Sequence, residues 1–381
     1  MQIEQYCCNA KSEWSLASGA MGNEQAQLLL VFGSREALSD PSKIHWLRSK
    51  YPGATFLGCS SAGEICGTQV FDETLVATAI HFDNTPIQLV ESEIGAADDS
   101  FQTGETLARK LDLNGLVHVL VLSDGTQVNG SELVKGLRTG LPNHVAVTGG
   151  LAGDGARFQT TLVLTNQGAN ARRIALVGFY GNHIQVGCGS LGGWDSFGPE
   201  RVITRSRDNV LFELDGQSAL ALYKTYLAEH AADLPASGLL FPLELMVEGA
   251  QNGIVRTILA INEADQSMTF AGDMPQGAKA RLMKANFDRL IDGAITAAEK
   301  CISDKSGPDP ELAILISCVG RKLILKQRTE EEVEGAQEAL GQATVITGFY
   351  SYGEISPFTQ GGRCELHNQT MTITTLSERC A

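Results

Sequence analysis

The chain has 381 residues, enough for two or three domains and a sizeable core. With 29 basic and 44 acidic residues its formal charge is −15 and its isoelectric point about 4.9, which argues against a general binder of phosphate backbones. Hydrophobic residues make up 43% and the mean hydropathy is −0.03, so neither a disordered nor a membrane-embedded chain is expected.

Short apolar runs bounded by Gly, Asn, Asp or Ser predict buried strands at Leu28–Phe32, Leu75–Phe82, Val117–Leu122, Val145–Thr148, Thr161–Thr165 and Ile174–Phe179. Helical periods lie at Pro41–Tyr51, Thr103–Leu111 and Ser131–Leu141, the last stopped by Pro142. Gly-rich Gly187–Glu200 then interrupts the strand pattern. Two strand-like runs follow, Arg201–Arg205 and Val210–Leu214, and then helices over Ser218–Ala231, Lys279–Lys300 and Glu330–Leu340. Strands alternating with helices favour an α/β to α+β fold.

No run approaches the roughly 18 apolar residues of a membrane span. The N-terminus lacks the basic-then-apolar pattern of a secretory signal. Nine cysteines at irregular spacing, from Cys7 to Cys380, fit reduced thiols and a cytoplasmic location.

One unit recurs. LLLVFGS is followed by a helix and ATFLGCSSAGEI; VHVLVLSDG by a helix and VAVTGGLAGDG; LAILISCVGR by a helix and ATVITGFYSYGEI. The first and third turns align: Gly58 with Gly348, Ser61 with Ser351, Gly63 with Gly353, Glu64 with Glu354. The middle turn carries Asp154 and is looser. Such units build a pseudo-symmetric body with its loops at the C-terminal ends of the strands, where ligands usually bind.

The chemistry motifs are mostly absent. There is no P-loop, dinucleotide fingerprint, nucleophile elbow, C-x-x-C or H-E-x-x-H. Glu64 and Glu354 either recognise an amine or hydroxyl ligand or cap backbone N–H groups; a duplicated turn needs a duplicated cap. Tyr350, Tyr352 and Phe358 add aromatic surface beside Glu354, as in a pocket wall or an ordinary core. Trp194 is expected to plug the junction between the halves or to cover a ligand. His183 sits at an expected hairpin. His367 is read as beginning the last strand, where Glu365, His367, Asn368 and Gln369 can face the turns; an imidazole there can ligate a metal or bind a ligand. An enzyme reading rests only on Cys59 and Cys318 beside Gly/Ser turns. Inert buried thiols are the commoner case, so no enzyme is expected.

FLGCSSAGEI, TGGLAGDG, GSLGGWDSFGPERVITRSRDNVLFELDGQSALALY, SCVGRKLIL, and GFYSYGEISPF followed by LHNQTMTIT together resemble the FIST family of sensory domains, from about residue 27 to residue 376. That resemblance implies two packed domains with mixed sheets: a segment 1–26, a FIST N-terminal domain 27–216 and a FIST C-terminal domain 217–381. It implies ligand sensing without catalysis, coupled to a histidine kinase or a cyclic-di-GMP signalling enzyme, and leaves room for a homodimer. One subgroup of the family consists of stand-alone haem proteins that sense nitric oxide and act on a histidine kinase. Similarity to it implies haem b, held by His367 or His183 with His367 ranked first as iron ligand. The alternative is a receptor for a small organic ligand such as an amino acid, its pocket lined by Ser61, Glu64, Trp194, Tyr352 and Glu354. The absence of a fused output segment fits a sensor reporting to a separate protein. Neither nucleic acid nor membrane insertion is expected.

Overall fold

A computed structural model describes residues 1–9, 13–21, 25–246, 253–302, 309–358 and 361–379. It is a mixed α/β structure, and its body repeats one unit three times. In each unit two parallel strands are joined through helix: Leu28–Gly33 with Thr55–Ser60, Leu116–Ser123 with Ala146–Leu151, and Leu312–Cys318 with Val345–Ser351. A return strand pairs antiparallel with the first of them: Leu75–His81, Arg173–Tyr180 and Met371–Glu378. A further strand pairs with each return strand: Gln2–Cys8, Ile87–Glu93 and Ile184–Leu191, the first of them flanked in turn by Trp14–Gly19 at the sheet edge.

The register is the same in all three units. Gly58 faces Val31, Gly149 faces Val121 and Gly348 faces Leu315. A Cβ at these positions would lie 2.1, 1.8 and 1.9 Å from the carbonyl oxygen opposite, so the approach of the two strands requires glycine. Gly149 is thus the third member of the Gly58–Gly348 pair, and the middle unit is a true repeat despite its looser turn.

After its second parallel strand each unit sends a short strand into another unit's sheet. Glu64–Cys66 pairs with Val345–Ser351, Gly353–Pro357 with Ala146–Leu151, and Val163–Thr165 with Thr55–Ser60. The exchange is cyclic, from first to third, third to second and second to first. No unit has a complete sheet without another.

Strand alternation sets the core. Leu28, Leu30 and Phe32 meet Leu120, Leu122, Leu312, Ile314 and Ile316 in one central cluster. Phe32 stacks on Phe349 there, 4.8 Å between centroids. The intervening residues face outward under helices: Leu29 and Val31 in one cluster, Val119, Val121, Ala313 and Leu315 in another. Truncating one of these buried aliphatic side chains to Ala costs about 2–5 kcal/mol.

One insertion breaks the symmetry. Between the edge strand Ile184–Leu191 and the helix Phe287–Cys301 of the third unit, an antiparallel lobe folds around its own core of Ile203, Leu211, Leu220, Met268 and Phe270. Its long strand Asp195–Arg207 pairs with Lys279–Lys284 at one end and with Val210–Leu214 at the other.

Several expectations need correction. Gly187–Glu200 does not interrupt the strand pattern, because it falls largely within the strands Ile184–Leu191 and Asp195–Arg207. The helix expected over Lys279–Lys300 begins at Phe287, preceded by the strand Lys279–Lys284. His183 is not in a hairpin: Arg173–Tyr180 and Ile184–Leu191 lie in different sheets. His367 ends the strand Cys364–His367 and does not begin the last one. The segment 1–26, set apart in the sequence, contributes two strands to the first unit's sheet, Gln2–Cys8 beside the return strand and Trp14–Gly19 at the edge.

Candidate ligand site in the third repeat

The two glutamates are buried caps. Ser61 Oγ donates to Glu64 Oε1, while the N–H and hydroxyl of Thr74 donate to Oε2 at 3.1 and 2.7 Å. Glu354 repeats this, with Ser351 Oγ on Oε1 at 2.6 Å and the N–H and hydroxyl of Thr370 on Oε2 at 3.2 and 3.0 Å. Burial outweighs these bonds and raises Glu64 to about 7 and Glu354 to about 8. Ser61, Glu64 and Glu354 therefore hold turns, with their oxygens engaged inside the protein.

A turn ahead of the return strand exists three times, and in the first and third units it supplies the capping threonine. Residues 72–74, 171–172 and 368–370 each lead from a crossing hairpin to a return strand. Each contains one left-handed residue: Glu73 at φ 61°, Arg172 at φ 56° and Gln369 at φ 60°. Strain shared by all three belongs to the fold. The environments differ. Asp72, Glu73 and Arg172 are exposed, whereas Asn368 and Gln369 are 1% and 0% exposed. Both amide atoms of Asn368 and Oε1 of Gln369 lack any hydrogen-bond partner among the described residues. Each such buried group costs about 1–3 kcal/mol.

The inserted lobe forms the lid of this turn. Trp194 Nε1 donates to Gln369 O at 2.9 Å, and the ring packs with Met283, Leu290, Ile324 and Leu325. Trp194 thus plugs the junction between lobe and body. Arg256 enters from the lobe, 5% exposed. Its guanidinium donates to Leu366 O at 3.0 Å, Asp273 O at 3.3 Å and Val255 O at 3.4 Å. Nη2 makes no hydrogen bond to a described residue, and no described carboxylate pairs with the group. Burial lowers Arg256 to about 10, which still leaves it charged at neutral pH. Arg256 carried no signal in the sequence, being one basic residue in an apolar run.

Tyr352 lies elsewhere. Its hydroxyl bonds to Asp154 Oδ1, and its ring stacks on Phe158 with centroids 4.2 Å apart. It ties the third turn to the second. His367 is 1% exposed, and its Nε2–H donates to Ser356 O at 2.8 Å. Phe358 packs edge-on against the ring at 4.4 Å. Burial lowers His367 to about 4, so the imidazole is neutral at pH 7. His183 is half-buried, and its carbonyl accepts from the Arg379 N–H. His367 is thus a buried, neutral imidazole oriented by Ser356 O, the kind of second-nitrogen contact that orients a metal-ligating histidine, with Phe358 against its ring.

Cys59 and Cys318 are buried, and burial pushes both thiols well above the usual range. Cys380 lies outside the described residues. No group of three or more His, Cys, Asp or Glu among the described residues is arranged to hold a metal ion. A surface cleft of about 550 Å³ includes Lys135, Arg138 and Arg363, but Lys135 pairs with Asp273 at 2.9 Å and Arg138 with Glu365 at 2.8 Å. No helix among the described residues is long and apolar enough to cross a membrane.

Two family models match. The FIST N domain covers residues 27–217 and the FIST C domain residues 219–357. The chain belongs to the FIST family. The two FIST matches do not divide the sheets between them, since Glu64–Cys66 of the first completes the third unit's sheet and Gly353–Pro357 of the second completes the second unit's. FIST domains point to a sensory, ligand-binding role in signalling. No curated protein matches the sequence. Among solved structures, cyanuric acid hydrolase from A. caulinodans is similar at 7% identity with a TM-score of 0.40, covering 100% of this chain and 99% of that one. A likeness that low has no bearing on activity.

Proposed function

We propose that this FIST protein is a receptor for a small organic ligand, seated at the turn 368–370 under the inserted lobe. One observation carries the reading: the turn is used three times, and only in the third repeat are its side chains buried with unpartnered amide atoms. A buried orphan amide calls for a partner, and a bound molecule seated at the turn would supply one. The haem and nitric-oxide reading rests on family resemblance alone, as does a histidine kinase or cyclic-di-GMP enzyme as the output partner.

Thermal unfolding against a panel of small metabolites tests the proposal. A true ligand at a hundredfold its Kd raises stability by about 2.7 kcal/mol. Asn368→Leu, which matches the volume but removes the amide, is expected to abolish that rise. Failure of every compound, together with a Soret band that saturates at one haem per chain and moves with nitric oxide, would instead support the gas sensor.

A further inference from the structure

We infer that the ligand carries a carboxylate, that Arg256 of the lobe binds it, and that the bound molecule bridges lobe and body through the amides of Asn368 and Gln369. This rests on the receptor reading above and adds the ligand's chemistry.

The argument starts from what each group lacks. Arg256 is a buried cation whose described contacts are three backbone carbonyls, which offset only part of its desolvation. Arg321, 0% exposed, is treated differently. Its Nε and Nη2 donate to Glu332 Oε2 at 2.9 and 2.7 Å, with both side chains 0% exposed. One buried arginine thus has its carboxylate built in, and the other has none among the described residues. A planar guanidinium with free N–H donors matches a carboxylate better than any neutral group.

Asp273 and Glu365 favour the Arg256 charge through space, but no described carboxylate forms an ion pair with it. Asp273 bonds Lys135 at 2.9 Å, and Glu365 bonds Arg138 at 2.8 Å. Glu354, raised to about 8 by burial, is mostly protonated at pH 7. Arg256 Nη1 reaches Leu366 O, two residues before Asn368. Beyond the cation, Asn368 offers the two N–H donors of its free amide nitrogen and a free carbonyl acceptor, and Gln369 Oε1 a free acceptor. The complement is a small molecule with a carboxylate at one end and an N–H or O–H donor nearby. Its two ends touch different parts of the chain, Arg256 from the lobe and the 368–370 turn from the body.

The test uses the full chain and matched acid–amide pairs: alanine and alaninamide, lactate and lactamide, succinate and succinamide. Affinities are measured by calorimetry for the native chain, Arg256→Met and Asn368→Leu. At least one acid is expected to bind about tenfold or more tighter than its amide, as a charge-assisted bond requires. Arg256→Met is expected to erase that preference, and Asn368→Leu to weaken acid and amide alike. If Arg256→Met does not fold, Arg256→Lys replaces it; it keeps the charge, loses the planar fork, and is expected to narrow the preference. Binding that favours the amides, or an acid preference unchanged in the Arg256 variants, would overturn the carboxylate and leave the receptor reading standing. No binding by any pair, with Asn368→Leu merely more stable than the native chain, would mean that the seam holds water, and both readings would fall.

Discussion

In the first repeat the turn after the crossing hairpin places Asp72 and Glu73 in solvent; in the third the same turn holds Asn368 and Gln369 beneath a lobe. Both turns present a threonine whose N–H and hydroxyl cap a buried glutamate. The shared part is scaffold, since a duplicated fold needs it twice. The unshared part requires another reason, and burying unpaired amides is not a stabilising one. Function is therefore to be sought where the repeats diverge.

The largest expected effect lies where the third repeat anchors its lobe. Arg321 joins Glu332 to the carbonyls of Gly192 and Leu290, at the point where the chain leaves the body for the lobe. Removing one partner of a buried ion pair strands the other charge. Arg321→Met is expected to lower unfolding free energy by about 3–5 kcal/mol in urea titrations. A loss below about 1 kcal/mol would mean that the pair does not hold the junction.

Next comes the turn itself. Asn368→Leu removes two unpartnered polar atoms and is expected to stabilise the ligand-free chain by about 1–3 kcal/mol. Asp72→Leu, at the equivalent exposed position, loses only a solvent-exposed ion pair with Lys322 and is expected to change stability by less than about 1 kcal/mol. A gain in stability coupled to loss of binding separates a functional orphan from a structural one. Equal effects at the two positions would end the comparison.

Much of this contrast was legible in the sequence. The repeat announced itself because Gly58 and Gly348 admit no side chain and because Glu64 and Glu354 need the same caps. The capping reading of those glutamates was available and is the one observed. The cyclic exchange was not legible, since a three-residue strand such as Glu64–Cys66 does not encode which sheet it completes. The lobe was blurred because Ala280 and Leu282, buried at a period of two, run straight into an amphipathic helix. Arg256 was invisible because its meaning lies in the absence of a partner.

The two glutamates offer a finer test. An unfolded glutamate ionises near about 4.3. The folded chain keeps the proton on Glu354 to about pH 8 and on Glu64 to about pH 7. Between these limits the folded state binds more protons than the unfolded one, so each site lowers stability as pH rises and levels off above its folded value. Glutamine mimics the protonated acid, accepting from the threonine and donating to the serine. Glu354→Gln is expected to gain on the native chain up to about pH 8, and Glu64→Gln only to about pH 7. Above pH 8 the gain is expected to be larger for Glu354→Gln than for Glu64→Gln. Urea midpoints from pH 5 to 9 measure this. Curves that level off together would show the two sites to be equally buried in practice.

The smallest effect tests the exposed side alone. Lys322 Nζ donates to Ala62 O at 2.9 Å and pairs with Asp72, which is 72% exposed. Solvent screens such a pair, and holding the two side chains together costs entropy. Asp72→Asn is expected to cost less than about 1 kcal/mol, and still less in 1 M salt. The lysine keeps its carbonyl and its place over the Tyr350 ring, 5.5 Å from the centroid, so the packing of the third repeat against the first survives. A loss of several kcal/mol would make the exposed turn as structural as the buried one, and the divergence between repeats would no longer mark the ligand site.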